Sequence, residues 1–202
     1  MTGSTPHPYW RDWYEVSESS ELRQGDIFRQ MVAFWLPQDL QVMHSDPADG
    51  VHVQTHPTFA RGDWIVLSAS CDLVRASETH VLLARVVEAS MENLKVDNPK
   101  ALKEKLEVLR QGYDPGRFLL PTNEDVNPSF PLSIVTYRAQ TFLPITYVRS
   151  HCNAPRLRLR PPLREKFGNW TGANLSRVGI EEATQIPRVT GFSASAVLRT
   201  VE

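Results

Sequence analysis

Residues Arg61–Val87, RGDWIVLSASCDLVRASETHVLLARVV, decide the fold class. Trp64–Ser70 (WIVLSAS) is an apolar run without alternation, the pattern of a strand covered on both faces. Thr79–Val87 (THVLLARVV) has the same β-branched and aliphatic character and is its expected partner. The connection CDLVRASE makes the pair antiparallel, with a link of roughly ten residues, longer than the two to five of a common hairpin. Arg61-Gly62-Asp63 is the expected turn into the first strand.

Other strands flank this pair. Gly25-Asp26 opens IFRQMVAFWLP, a strand stopped by Pro37, and residues 38–50 have loop composition. VHVQTHP alternates Val51, Val53 and Thr55 with His52, Gln54 and His56, as a half-buried strand does. Downstream, GRFLLPT, LSIVTYR and QTFLPITYV read as three short strands, with Pro144 marking an edge or bulge in the last. A final strand is expected over Ala196–Val201.

Two helices are expected among them. Asp97 or Asn98 caps the first, Pro99 sits in its first turn, and Leu102, Leu106 and Leu109 share one face. Gly112 terminates it. Pro161-Pro162 begins the second, with Leu163, Phe167, Trp170 and Val178 on one stripe and Gly179 as its end. Gly168, Gly172 and Ser176 form a flat stripe that would let a neighbouring backbone approach.

These elements predict an α+β fold: a curled, mostly antiparallel sheet or small SH3-like β-barrel, with two inserted or appended helices. At 202 residues the chain is expected to be one domain. Residues 1–24 form an N-terminal arm pinned by Tyr9, Trp10 and Trp13, and 25–160 a β-rich barrel with a helix at about 98–111. Residues 161–179 are the second helix and 180–202 a C-terminal extension. Apolar residues at 41% and charged residues at 22% argue against wholesale disorder. Fifteen prolines against ten glycines argue against long helical bundles.

The net charge of -1 hides an asymmetry. Residues 1–136 carry 12 Lys and Arg against 19 Asp and Glu, a balance of -7, and residues 137–202 carry ten against four, a balance of +6. Nine of those ten cations are arginine, whose planar fork of donors suits carboxylate and phosphate. Arg156-Leu157-Arg158-Leu159-Arg160 alternates strictly, which sends leucines inward and arginines outward if it is a strand. Arg156, Arg158, Arg160 and Arg164 are therefore the candidate binding residues for an anionic ligand or nucleic acid. The competing readings are a basic third packed on the acidic remainder, and a charged edge that discourages aggregation.

Candidates for catalysis are fewer. In Ser68-Ala69-Ser70-Cys71-Asp72-Leu73, Cys71 lies where a rigid strand ends. It could act as a nucleophile with His80 or His151 as its base and Asp72 orienting the histidine. Otherwise it is a buried cysteine, with Asp72 capping the following turn. Cys71, His80, His151 and Cys152 have zinc-ligand chemistry, but C-x8-H and an adjacent His-Cys lack the short knuckle that presents two ligands together. His52 and His56 would lie ~13 Å apart on one strand face. Asp26, Asp63 and Asp72 sit at strand ends, which fits two readings: acids gathered around a metal as in a nuclease, or ordinary turn residues. There is no P-loop, GxGxxG, GxSxG or HExxH, and no cofactor is expected.

The N-terminus has neither a basic segment nor an apolar core, and the longest clean apolar run is Met31–Leu36, far short of the ~20 residues that span a bilayer. Two cysteines make no disulfide framework, though a Cys71–Cys152 bridge stays open. A cytoplasmic protein without membrane contact is expected.

Leu22–Phe28 (LRQGDIF), Trp64–Ser68 (WIVLS) and Val81–Val86 (VLLARV) follow an order that resembles the MazF/PemK-type toxins. Those are small SH3-like barrels that open on a G-D-I strand. The resemblance implies a barrel over roughly the first 90 residues and endoribonuclease activity using Arg61. The family's proline is replaced here by Gly62-Asp63, Arg61 lies one residue farther from Ser68, and Val87 takes the place of a threonine or serine. G-D-I followed by S-x-S-C-D-L, with Arg177-Val178-Gly179 after a helix, also resembles a group of small bacterial proteins with no assigned activity. With no complete catalytic set, the expected function is a non-catalytic intracellular binding or adaptor module that docks on a protein partner. The rival expectation is the toxin-like nuclease or another nucleic-acid hydrolase.

Overall fold

The computed structural model describes residues 13–35, 58–124 and 129–185. The strands expected over 51–56 and 196–201 lie outside these residues, as do most of the N-terminal arm and the C-terminal extension. Seven strands, β1 (Tyr14–Ser17), β2 (Asp26–Trp35), β3 (Thr58–Val66), β4 (His80–Glu88), β5 (Arg117–Leu120), β6 (Ser133–Pro144) and β7 (Arg156–Leu159), form one sheet in the order β1-β7-β2-β3-β4-β6-β5. Every pairing is antiparallel. The helices are α1 (Ser70–Leu73), α2 (Met91–Leu94), α3 (Pro99–Arg110), α4 (Ile145–Ser150) and α5 (Leu163–Gln185). Among the described residues no helix is long and apolar enough to cross a membrane.

The central pair is β3 and β4, with Trp64 opposite Arg85 and Val66 opposite Leu83. Their unbroken apolar character has a direct cause. Trp64, Val66, Val81 and Leu83 enter one core with Phe28, Met31, Leu143 and Val148, while Ile65, Leu67, Leu82 and Ala84 enter a second with Tyr14, Leu120, Leu157 and Phe167. Both faces of the sheet are covered, so neither needs polar residues.

The sheet curls but does not close. The Thr141 hydroxyl donates to the Phe34 carbonyl, and the Tyr147 hydroxyl donates to the Val32 carbonyl at 2.7 Å, so β6 and α4 reach β2 across the two intervening strands. The far edge of β6 pairs with β5 and that of β2 with β7, so β2 and β6 meet through side chains and no ladder completes a ring. The α+β, curled antiparallel expectation holds; the closed barrel does not form.

Several boundaries differ from expectation. Arg61-Gly62-Asp63 is not a turn: β3 begins at Thr58, and Arg61 and Gly62 pair with Val32 and Met31. The two segments LSIVTYR and QTFLP are one strand, β6, whose pairing with β4 slips between Ala84 and Val86 and so absorbs the polar residues near Arg138. Pro144 ends that strand, and the following ITYV starts α4 instead of extending β6. There are five α-helices among the described residues instead of two. The three additional ones have four to six residues and are too short to show a period. Helix α3 is as expected, with the Asn98 side chain accepting the Ala101 N–H at 2.9 Å and Pro99 in the first turn. Helix α5 continues past Gly179 to Gln185. Of its small-residue stripe, Gly168 approaches the Gln24 side chain, whereas a Cβ on Gly172 would meet open space. Residues 14–17 of the arm are a sheet strand, pairing with β7.

Tyr14 ties this strand to the core. Its hydroxyl donates to the Pro121 carbonyl at 2.7 Å, its ring meets Phe130 edge-on, and burial pushes its phenol above the ordinary tyrosine range. The folded state therefore favours the neutral phenol. That contribution is complete below pH ~10, the unfolded value, and is lost as pH rises above it at about 1.4 kcal/mol per pH unit. Denaturant unfolding at pH 9, 10 and 11 should show Tyr14→Phe with lower stability at pH 9 but a flatter decline. Equal slopes for the two proteins would refute this role for Tyr14.

Candidate functional site

The arginine row is built around Asp26. Gly25 has φ +84, and a Cβ there would meet Leu159 at 3.2 Å, so glycine lets β7 lie directly against the start of β2. Asp26, fully buried, follows. Its carboxylate accepts the Arg23 N–H at 3.0 Å, Arg156 Nε at 2.9 Å, and Arg158 through Nε at 2.5 Å and Nη2 at 3.1 Å. Arg156 also donates to the carbonyls of Ser19 (2.7 Å), Cys152 (3.4 Å) and Glu21 (2.5 Å), and Arg158 donates to that of Glu21 at 2.7 Å. The hydrogen bond to Asp26 raises the Arg158 guanidinium above its ordinary range, so it stays charged.

The expected outward ribbon is thus corrected for two of its four members. Leu157 and Leu159 do face a core, but Arg156 and Arg158 are buried too, because the other face of β7 packs on residues 19–26 and not on water. Arg160 is exposed with its backbone N–H on the Trp13 carbonyl, and Arg164 pairs with Glu165 at 3.1 Å. The four do not form one anion-binding face.

Nor do the catalytic candidates converge. Cys71 is an exposed free thiol, neither buried nor bridged to Cys152. Asp72 accepts the Cys71 thiol at 3.8 Å and pairs with Arg75 at 3.2 Å, while His80 Nδ1 meets the Thr79 hydroxyl at 2.9 Å. Among the described residues no hydrogen bond joins Cys71 to either histidine. Arg61 is exposed on β3, and Val87 packs into the apolar cluster beneath α3. The Ser68 hydroxyl accepts the Leu82 N–H at 2.9 Å. His151 Nδ1 lies 3.0 Å from the Tyr147 carbonyl and so carries the proton of that bond. Cys152 is buried, which pushes its thiol up. Among the described residues no three His, Cys, Asp or Glu side chains gather in a way that would hold a metal ion.

A cleft that the sequence reading did not identify lies between α3 and α5, over β5. It encloses 780 Å³, within the range of ligand sites, and its apolar lining includes Trp13, Leu106, Phe118, Leu163 and Trp170. Trp170 is fixed by its indole N–H donating to the Pro115 carbonyl at 2.8 Å and by ring contacts with Phe118 and Phe167. The carboxylates of the lining are already engaged. Glu107 accepts from Arg110, which with Gln111 lowers its carboxyl to about 2, and Asp114 pairs with Lys105 at 3.1 Å and Arg117 at 3.4 Å. Lys103 on α3 and Lys166 on α5 also line the cleft and make no ion pair among the described residues. The lining contains no serine, cysteine or histidine, so its chemistry is that of a grip: an aromatic floor flanked by two lysines. Its residues come from four separate segments. Its local signals are the apolar stripes of the two helices, Leu106 and Leu109 on α3 and Leu163 and Trp170 on α5.

No family model, curated protein or solved structure matches the chain closely enough to carry a family assignment.

Proposed function

We propose that the protein is a non-catalytic binding module that holds an acidic segment of a protein partner in the α3–α5 cleft. One observation carries the proposal: Lys103 and Lys166 stand on opposite walls of an aromatic-floored groove whose own carboxylates are already paired. A partner segment with one large apolar side chain would bury it against Phe118 and Trp170, and flanking Asp or Glu would reach the lysines. The acids of a protein partner would meet the cleft lysines and not Arg156 or Arg158, whose side chains are buried beneath residues 19–26.

Selection of random displayed peptides on the full chain should enrich acidic sequences containing Leu, Phe or Trp. A synthesised winner should bind about tenfold or more weakly to the Lys103→Glu/Lys166→Glu protein, and raised salt should weaken it for the native chain. Enrichment of neutral or basic peptides, or unchanged affinity in the double variant, would overturn the proposal. So would metal-independent RNA cleavage abolished by Arg61→Ala, which would favour the nuclease.

A further inference from the structure

Strand β2 is irregular at one point. Its register against β3 shifts between Phe28 and Met31, leaving Arg29 and Gln30 in a bulge, and Gln30 has φ +55, a region glutamine occupies only when its surroundings hold it there. Asp63 does so, accepting the Gln30 N–H at 3.0 Å and lying 3.5 Å from Arg29 Nε. Bulges of this kind re-aim side chains beside sites. Here the bulge turns Arg29 and Gln30 into the lining of a 380 Å³ cavity, together with Phe28, Met31, His151 and Arg156.

The charge of that cavity is one-sided. Arg29, Arg156 and the imidazole of His151 line it and no carboxylate does, Asp63 meeting Arg29 from outside the lining. Arg156 shares the single carboxylate of Asp26 with Arg158, and the next acid, Glu15, is half exposed and 3.9 Å from Arg158. Both acids lie outside the lining, so only cationic and neutral groups face the cavity. Of the five N–H groups on Arg156, four have acceptors and the fifth has none among the described residues. The walls from Phe28 and Met31 are apolar, and Phe28 already lies 5.7 Å from the Arg156 guanidinium carbon.

We infer that this cavity binds a small organic carboxylate, with its hydrocarbon body against Phe28 and Met31 and its anionic head among Arg29, His151 and Arg156. The site shares no lining residue with the α3–α5 cleft and stands independently of it. Calorimetric titration of the full chain with sodium hexanoate and sodium benzoate, against hexanamide, benzamide and inorganic phosphate, tests it. At least one carboxylate should saturate at one site, with its neutral amide and phosphate at least tenfold weaker. Arg29→Gln should weaken that carboxylate about tenfold. Ala154 also lines the cavity, and Ala154→Phe, which adds bulk there without removing a charge, should abolish binding while circular dichroism shows a folded chain. Amides binding as tightly as the acids, phosphate binding more tightly than either, or carboxylate affinity unchanged in both variants would overturn the inference.

Discussion

Asp26→Asn should destabilise the fold by about 3–5 kcal/mol, because it removes one partner from a buried ionic cluster and leaves the others uncompensated. Asp26 is fully buried and is the carboxylate that both Arg156 and Arg158 meet, so asparagine keeps the shape and cancels the charge that balances them. A domain is stable by about 5–15 kcal/mol, so the loss takes a large part of the total. Urea unfolding should show a lower midpoint with an unchanged slope. A loss under about 1 kcal/mol would show that the guanidiniums are satisfied without Asp26. Replacing the whole set with Asp26→Leu, Arg156→Met and Arg158→Met should cost much less than the single change. The carbonyls of Ser19 and Glu21 that the arginines engage belong to exposed residues and can take water instead.

Phe167→Ala should cost about 3–5 kcal/mol, the range for emptying a large aromatic site in a packed core. Phe167 is fully buried, edge-on to Phe118 with centroids 5.3 Å apart and stacked on Trp170 at 5.6 Å. It anchors α5 to the core that contains Tyr14, Leu120 and Leu157. Because Trp170 loses its stacking partner, the peptide selected on the native chain should also bind more weakly, although Phe167 does not line the cleft. Thermal unfolding and a near-ultraviolet dichroism spectrum would report both effects. A loss below about 1.5 kcal/mol would mean that α5 is held chiefly by other contacts.

The legible parts of this fold share a property: their determinants are local. The β3–β4 pair announces itself by two apolar runs, and α3 by Asn98, Pro99 and three leucines at helical spacing. Helices α1, α2 and α4 leave no period to detect. The arginine alternation shows which residues share a face of β7, but not what covers it. The covering group, Asp26, is 130 residues from Arg156 and carries no mark beyond the glycine before it. The same holds for Asp63, which looks like a turn residue beside Gly62 and instead clamps a bulge on another strand. The α3–α5 cleft is harder still to foresee, since Trp13, Lys103, Phe118 and Trp170 become neighbours only once the sheet and both helices have assembled.

The position of β7 between β1 and β2 also has a consequence for how the chain comes to be folded. During synthesis, β2, β3 and β4 can pair once residue 88 has emerged, but the free edge of β2 and the carboxylate of Asp26 wait until residue 158 is available. For that interval the nascent chain presents an uncovered strand edge beside a half-built core, the kind of surface on which neighbouring chains aggregate. Such non-local closure is also slow once the chain is free. The interval between translating β4 and β7 therefore leaves the β2 edge open to pairing with other chains.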